Sequence, residues 1–430
     1  MSQKCNEIKR KNRFYSSRFY QYLSFRATLR FLGNFPSLTY KHFRYYNIPV
    51  IKKRRIEQIL KQQTHKKILF LDHKIPTPDK DSGSFRIWQL LKILSKTYYI
   101  LFWPDNISEP THYVLSLHNH RTEFISPFSR RRFLERYGKY FDLVILSRPK
   151  ILKKNIAYIK THCLNAKLIF DTVDLHYVRT HRQAVIADNP DDKDRLQKLA
   201  ESYYALEISG VEQTDQTWVV AEEERKSLHD ILPDADIRII PNIHPLPVIG
   251  EKSFNDTKNI LFVGGFDHHP NTDAVSFCAK EIWPLILKDI PSAKWIIIGA
   301  NPPEEIRALS NQSILIKGFV PNLEPYLLGT RVFIAPLRYG AGMKGKIGQA
   351  LSYGIPTVTT TIGAEGFPVT GNEMIIADKP EDFASAVVSL YTDIKMWDTY
   401  QSNSRIFMKR FTPDIVGLSL KASMEDLLNQ

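Results

Sequence analysis

The chain has 430 residues and is 43% hydrophobic, enough to bury two sizeable cores, yet it holds no run of about 18 apolar residues and no apolar leader segment. No transmembrane helix and no secretory signal are therefore expected, and a cytoplasmic location is expected. Its net charge of +14 is confined to one end: residues 1–65 carry fifteen Lys and Arg against Glu7 and Glu57, a net of +13, and the other 365 residues carry +1.

In that N-terminal stretch the cations are mixed with aromatics such as Phe14, Tyr15, Phe19, Tyr20, Phe43 and Tyr45. The mixture suits the surface of an anionic membrane, where each cation near the surface contributes about 1 kcal/mol, and would make the protein peripheral on a membrane's inner face. Solvated helices packed on the first domain, a nucleic-acid arm and an organelle presequence are further readings. Nucleic acid is disfavoured as a partner because it would explain the N-terminus only, the body being near neutral in net charge. Cys5, Cys163 and Cys278 are too far apart in sequence for a metal-ligand spacing or a disulfide framework, so a reducing compartment and no metal are expected.

The first α/β domain, 66–245, opens with the apolar strand Lys66–Asp72. A helix follows in which Ile87, Leu90, Leu91 and Leu94 fall at helical spacing. Ser82 and Ser84 offer caps for it, and Gly83 permits close approach at the strand's C-terminal end. Further strands are expected at Tyr98–Trp103, Leu143–Ser147, Leu168–Asp171 and Thr217–Val220, with helical patterns between them, which implies a mostly parallel sheet. Beyond one strand end lie Asp171, Asp174, His176, Arg179 and Arg182. They read either as a cluster that orients ligand hydroxyls and moves protons, or as a capped turn with surface ion pairs. The carboxylates of Asp234–Asp236 follow Pro233 in a polar turn and read as loop.

A Pro- and Gly-containing linker after Asn242 separates a second α/β domain, 246–411. Its expected order is strand Ile260–Val263, a turn at Gly264 and Gly265, helix Ala274–Leu287, a strand from Trp295, a short helix Glu304–Leu309 and strand Ile314–Gly318. Then comes the stretch on which the chain is centred: strand Val332–Leu337, a glycine loop Gly340–Lys346, a helix ending at Gly354, and strand Ile355–Thr361. Glycines that admit a ligand to the backbone, a helix N-terminus and two lysines together read as a phosphate site. Gly340, Gly342 and Gly345 also satisfy G-x-G-x-x-G, with Glu365 twenty residues on where a dinucleotide's ribose would want it. Lys344 and Lys346 oppose the helix dipole, however, and a backbone-only pyrophosphate grip does not explain them. A last helix, Pro413–Leu428, falls in a closing segment 412–430.

The ordered series FVGGFDHHPN, IKGFVPNLEPYL, IAPLRYGAGMKGKIGQALSYGIPTVTTTIGAEG and DKPEDFASAVVSLYTD, with DSGSFRIWQLLKIL and FDTVDLHYVR earlier, resembles family 4 glycosyltransferases of the GT-B fold. The resemblance covers residues 66–430 and implies two Rossmann-like doubly wound domains facing a cleft. It also implies transfer of a sugar from a nucleotide-diphosphate donor to a glycan or lipid-linked acceptor with retention, with no metal and no cofactor other than that co-substrate. In that picture Gly264, Gly265, Lys344 and Lys346 hold the diphosphate. Phe319 and Val320 border the base, and Gly340, Ala341 and Gly342 face the sugar. Gly83, Ser84, Arg86, Asp174 and His176 close the site from the first domain, and the last helix crosses back onto that domain. Two glutamates common in the family are replaced here by Ala341 and Gln349, of which Gln349 can still bond a ribose hydroxyl. That departure admits a catalytically silent partner subunit, beside the rival classes of NAD-dependent oxidoreductase and basic nucleic-acid-binding protein.

Overall fold

The computed structural model describes residues 53–106, 113, 114, 117, 121–124, 129–250 and 252–429. The membrane-surface reading of the basic N-terminus rests almost wholly on residues outside them. The described part of that stretch is helix α1 (Lys53–Gln62), whose Ile56 and Leu60 are fully buried in the core of the first half.

The first half is a parallel sheet of β1 (Lys67–Lys74), β2 (Tyr99–Asn106), β3 (Thr122–Phe124), β4 (Leu143–Ser147), β5 (Lys167–Asp171), β6 (Gln216–Val219) and β7 (Ile237–Ile239), in the order β3-β2-β1-β4-β5-β6-β7. Its central strands are apolar without alternation, as burial on both faces requires; Ile68, Leu69, Phe70 and Leu71 are all buried. The covering helices include α2 (Ser82–Leu94), α3 (Pro149–His162), α4 (His176–Val185), α5 (Pro190–Gln213) and α6 (Glu222–His229). The cap of α2 is Asp81, which accepts from Ser84 N at 2.7 Å, and not the expected serines.

The second half repeats the plan with β8 (Asn259–Val263), β9 (Lys294–Ile298), β10 (Ile314–Gly318), β11 (Thr330–Ala335), β12 (Thr357–Thr359) and β13 (Ile375–Ile376), in the doubly wound order β10-β9-β8-β11-β12-β13. The helix expected over 274–287 starts earlier, as α7 (His269–Phe277), and is broken by a π turn at Cys278–Ile282 before Trp283–Asp289. Pro284 explains the break: it has no N–H for the ladder, and its ring crowds the preceding turn. β12 is shorter than expected because Thr360 leaves the sheet to cap a short helix, accepting from Gly363 N at 3.1 Å.

Helix α8 (Gly345–Ser352) follows the glycine loop; α9 (Pro380–Thr392), α10 (Ile394–Met408) and α11 (Pro413–Asn429) end the fold. α11 lies on the first half, where Ser423 Oγ donates to Gln216 Oε1 at 2.6 Å. The halves also share apolar packing: Val220 and Ala221, just past β6, belong to one buried cluster with Met343 and Ile347. In both sheets the order reverses at the first strand, so β1/β4 and β8/β11 are the switch points outside whose C-terminal ends ligands bind.

Arg86, expected on the acceptor side of the site, is fully buried instead. Its Nη1 donates to both oxygens of Asp171 at 2.8 and 3.0 Å, and Nε and Nη2 donate to Ile240 O at 3.2 and 2.9 Å. Ser147 Oγ donates to the same carboxylate at 2.8 Å. A guanidinium in the fifth position of α2 points into the interior, where only a carboxylate and a carbonyl offset its desolvation; both residues are thereby withdrawn from the cleft. Asp171→Ala should therefore lower stability by about 3 to 5 kcal/mol, read as a fall in the urea midpoint. The double variant Arg86→Met, Asp171→Leu should recover much of that loss.

Candidate functional site

The site is built where the C-terminal ends of the two sheets meet. On the second half β8 runs into Gly264, where an added Cβ would lie 2.7 Å from Asn271 Cγ, so only glycine lets α7 come this near. Asn271 is buried; its amide donates to Gly265 O at 2.6 Å, and its side-chain oxygen accepts from Lys346 Nζ. The same ammonium stands 4.6 Å from the centre of the Phe262 ring. Burial, with the Lys344 charge beside it, pulls Lys346 down to about 7. Lys344 is buried where Lys346 is half-buried, and it too is lowered by desolvation, but it has an ionic partner. Its Nζ lies 3.1 Å from Glu365 Oε2 and donates to Gly342 O at 2.6 Å. Both lysines stand at the N-terminus of α8, the positive end of its dipole.

The glycine loop rests on the first half. Gly342, at φ +65°, has no room for a Cβ: one would fall 2.9 Å from Val220 Cγ2, 3.2 Å from Asp174 Cβ and 3.2 Å from Glu224 Oε1. A Cβ on Gly345 would lie 2.4 Å from Ser82 Cβ. Asn242 donates to Met343 O at 2.7 Å. Arg182 of α4 donates through Nη1 to Gly340 O at 2.7 Å, and through Nη2 it lies 2.6 Å from Glu365 Oε1. The two halves therefore stand closed around the loop.

On the first half, Asp174 faces this loop. Burial alone would raise its carboxyl, but the guanidinium of Arg179 in contact with it, helped by His176 and Arg148, holds it down to about 2. His176 Nδ1 lies 3.1 Å from Asp174 O and 3.4 Å from Asp174 Oδ1. The start of α4 is fixed by Glu207, which is fully buried and accepts from His176 N at 2.8 Å and Tyr177 N at 3.0 Å. Val173, between the strand end and Asp174, has φ +67°.

The structure thus brings together Gly264, Gly265, Gly340, Ala341, Gly342, Lys344, Lys346, Asp174 and His176. Gly83 lies close by, its Cβ position 3.0 Å from Arg148 Nη2. Ser84 is buried and its hydroxyl donates to Asp81 Oδ2 at 2.9 Å, so it serves the cap of α2 and not the cleft. Phe319 is exposed and Val320 half-buried, both just past β10, the edge strand two places from the switch point. Gln349 is half-buried on α8. Glu365, the ribose ligand of the dinucleotide reading, is taken by Lys344 and Arg182, which removes that reading's acidic partner.

Three residues of the site were missed. Glu207 continues the buried stripe of Leu196 and Ala200 along α5, and a carboxylate on an apolar stripe was a usable signal. Asn271 was visible only as part of a motif. Glu224 gave no signal at all. Its two oxygens accept from Leu175 N at 3.0 Å and Val220 N at 3.1 Å, and burial beside Asp174 pushes it up to about 8. Among the described residues no group of three or more His, Cys, Asp or Glu could hold a metal ion, and no helix is long and apolar enough to cross a membrane.

Residues 257–393 match the sequence model described as Glycosyl transferases group 1. A protein of Klebsiella pneumoniae, an uncharacterized 44.6 kDa protein in the cps region, is 26% identical over 165 residues, which are 36% of this chain and 42% of that one. The match therefore spans less than half of that relative. Among solved structures, sucrose-phosphate synthase from Thermosynechococcus elongatus superposes with a TM-score of 0.62 at 14% identity, covering 85% of this chain and 100% of that one. The pneumococcal O-GlcNAc transferase GtfA, in complex with UDP and GlcNAc, gives 0.63 at 10% identity, covering 86% and 100%. Anabaena HepE, in complex with UDP and glucose, gives 0.61 at 12% identity, covering 84% and 100%. These likenesses show the GT-B fold.

A diphosphate bound between the two lysines would favour the charged form of Lys346 and lift it above its resting value of about 7. Between about pH 7 and pH 9, binding of inorganic pyrophosphate should then take up protons, more in the parent than in Lys346→Met. Titration calorimetry in two buffers of different ionisation enthalpy measures the uptake; the same proton count in both proteins would show that Lys346 does not titrate on binding.

Proposed function

We propose that the chain is a glycosyltransferase that moves a sugar from a nucleotide-diphosphate donor to a glycan or lipid-linked acceptor, with retention, in the making of a cell-surface polysaccharide or glycolipid. One observation carries the reading: Lys344, buried, and Lys346, half-buried, stand at the N-terminus of α8 beside a glycine loop that packs against Asp174 of the other half. The Glycosyl transferases group 1 match over residues 257–393 supports it, as do GT-B neighbours solved with UDP and a sugar and a relative from a cps region.

The chemistry follows from the charges. As the sugar–phosphate bond breaks, negative charge grows on the departing β-phosphate; the two ammonium groups and the dipole of α8 lie where they stabilise it, the part a metal would otherwise take. At Gly265, where nothing lies within 4 Å of the Cβ position, the backbone is open to the phosphates, and the Gly340–Gly342 segment is assigned to the sugar. Asp174, held down to about 2, is a poor base at neutral pH and serves to orient hydroxyls. With retention the acceptor hydroxyl arrives on the face the diphosphate leaves. The departing phosphate oxygen is then the nearest base and takes the hydroxyl proton. Ala341 has no carboxylate to offer the sugar, so recognition there falls to backbone.

Nucleoside diphosphates and nucleotide sugars should raise thermal stability, by about 2.7 kcal/mol at 100 times the dissociation constant. Lys346→Ala should lose that shift and slow transfer by about 2 to 4 kcal/mol of barrier. Unchanged transfer in Lys346→Ala would overturn the role given to it. Binding without turnover of any nucleotide sugar would mark a silent partner subunit, and a shift with NAD alone would sink the reading.

A further inference from the structure

Arg182 is the point at which the first half reaches the glycine loop with a charge. Its Nη1 donates to Gly340 O at 2.7 Å and to Glu365 Oε2 at 2.9 Å, while Nη2 stands 2.6 Å from Glu365 Oε1. Glu365 Oε2 lies 3.1 Å from Lys344 Nζ, and that ammonium also donates to Gly342 O. One guanidinium thus grips a carbonyl of the loop and both oxygens of the carboxylate that holds the loop's lysine. The loop needs such a grip, because Gly340 at φ +155° and Gly342 at φ +65° lie in conformations that give no ladder of their own.

We propose that Arg182 is the positioning residue that shapes the glycine loop from the opposite half and keeps the trio it forms with Glu365 and Lys344 net positive toward an incoming anion. Its use in catalysis rests on the glycosyltransferase reading. The planar fork matches a carboxylate at two points, which an ammonium cannot do. While Arg182 takes both oxygens, the charge of Glu365 is divided between two cations, and the trio Arg182, Glu365 and Lys344 keeps one net positive charge. Without Arg182, Glu365 turns its whole charge on Lys344, and the Gly340 carbonyl loses its donor. The effect exists only with the halves closed, since Arg182 and Glu365 come from different halves. Removing Arg182 should therefore weaken the transfer step more than the grip on nucleotide, which the second half supplies. At 31% side-chain exposure Arg182 lies at the rim of the cleft, so truncating it opens no core cavity.

The test uses the full chain as wild type, Arg182→Ala and Arg182→Lys. Hydrogen exchange reads the amides of residues 338–346 and 361–366. Titration against UDP, GDP, ADP and dTDP reads affinity, and turnover with the matching nucleotide sugar reads kcat. In Arg182→Ala the two segments should exchange about tenfold faster, and kcat should fall about 30-fold while the nucleoside-diphosphate Kd stays within about threefold. Arg182→Lys should lie between. Glu365→Gln should loosen the same segments, and the double variant should add little to either single one. Unchanged protection of 338–346 in Arg182→Ala would overturn the proposal, as would a loss of nucleotide affinity as large as the loss of kcat. Faster exchange in Arg182→Ala, with no nucleoside diphosphate bound by any of the proteins, would uphold the positioning and remove the glycosyltransferase reading instead.

Discussion

Two ammonium groups stand two residues apart at the positive end of α8, and most of the cleft is arranged around that fact. Burial disfavours each charge, each repels the other, and the helix dipole adds to both. Lys344 is offset by Glu365 and the Gly342 carbonyl, whereas Lys346 has an amide oxygen and the face of Phe262. That difference explains why Lys346 is drawn all the way to about 7. Neighbouring carboxylates do not relieve it: Asp174 is spent on Arg179, and Glu224, pushed up to about 8, is mostly protonated at neutral pH. The desolvation of these cations is met when the chain folds, so an anion arriving between them finds donors that need no reorganisation.

The glycines do a different job from the one their spacing suggests. In a dinucleotide fingerprint they admit a pyrophosphate to the backbone. Here Gly342 and Gly345 admit the opposite half, whose Val220, Asp174 and Ser82 occupy the space a Cβ would need, and Gly348 does the same for His244, whose ring nitrogen would stand 2.3 Å from the Cβ. The loop fits with the cleft shut, and a side chain at any of these positions would have to displace its neighbours. A G-x-G-x-x-G pattern arises from either cause, which is why lysines, and not glycine spacing, distinguish the two readings.

Much of this was legible in the sequence. Unbroken apolar runs such as Ile68–Leu71 place the central strands, and Leu143–Ser147, buried at every position, is legible to the residue because a strand buried on both faces leaves little to blur its ends; the edge strand Ile314–Gly318 is legible too, although it is mostly half-exposed. Short edge strands escaped: β3, β7 and β13 have two or three residues each, and propensity over so few residues carries little weight. Residues that approach the cleft along the chain, such as Gly264, Lys346 and Asp174, could be found from motifs. Arg86 could not be placed correctly, since its partners Asp171 and Ile240 lie 85 and 154 residues away and pairing at that distance is a property of the fold. Arg182 and Glu365, 183 residues apart, form a pair for the same reason invisible to any local pattern.

The two walls of the cleft are held in different ways. On the first half, Val173 and Arg148 adopt φ of +67° and +78°, costly for side-chain-bearing residues and most so for a β-branched one. Local contacts fix both. Arg148 N donates to Asp171 O at 2.8 Å and its Nε to Asp72 Oδ1 at 2.9 Å, while Thr172 N, just before Val173, donates to Trp218 O at 3.0 Å. Strain held by strand-end hydrogen bonds persists whether the cleft is open or shut, so the direction of Asp174 is set in advance. On the second half the glycine loop takes its shape from contacts that cross the cleft: Arg182 to Gly340 and Glu365, Asn242 to Met343, Val220 against Gly342. One wall is therefore preformed and the other is completed by closure, and a ligand that needs both would meet its full set of charges only after the halves have come together.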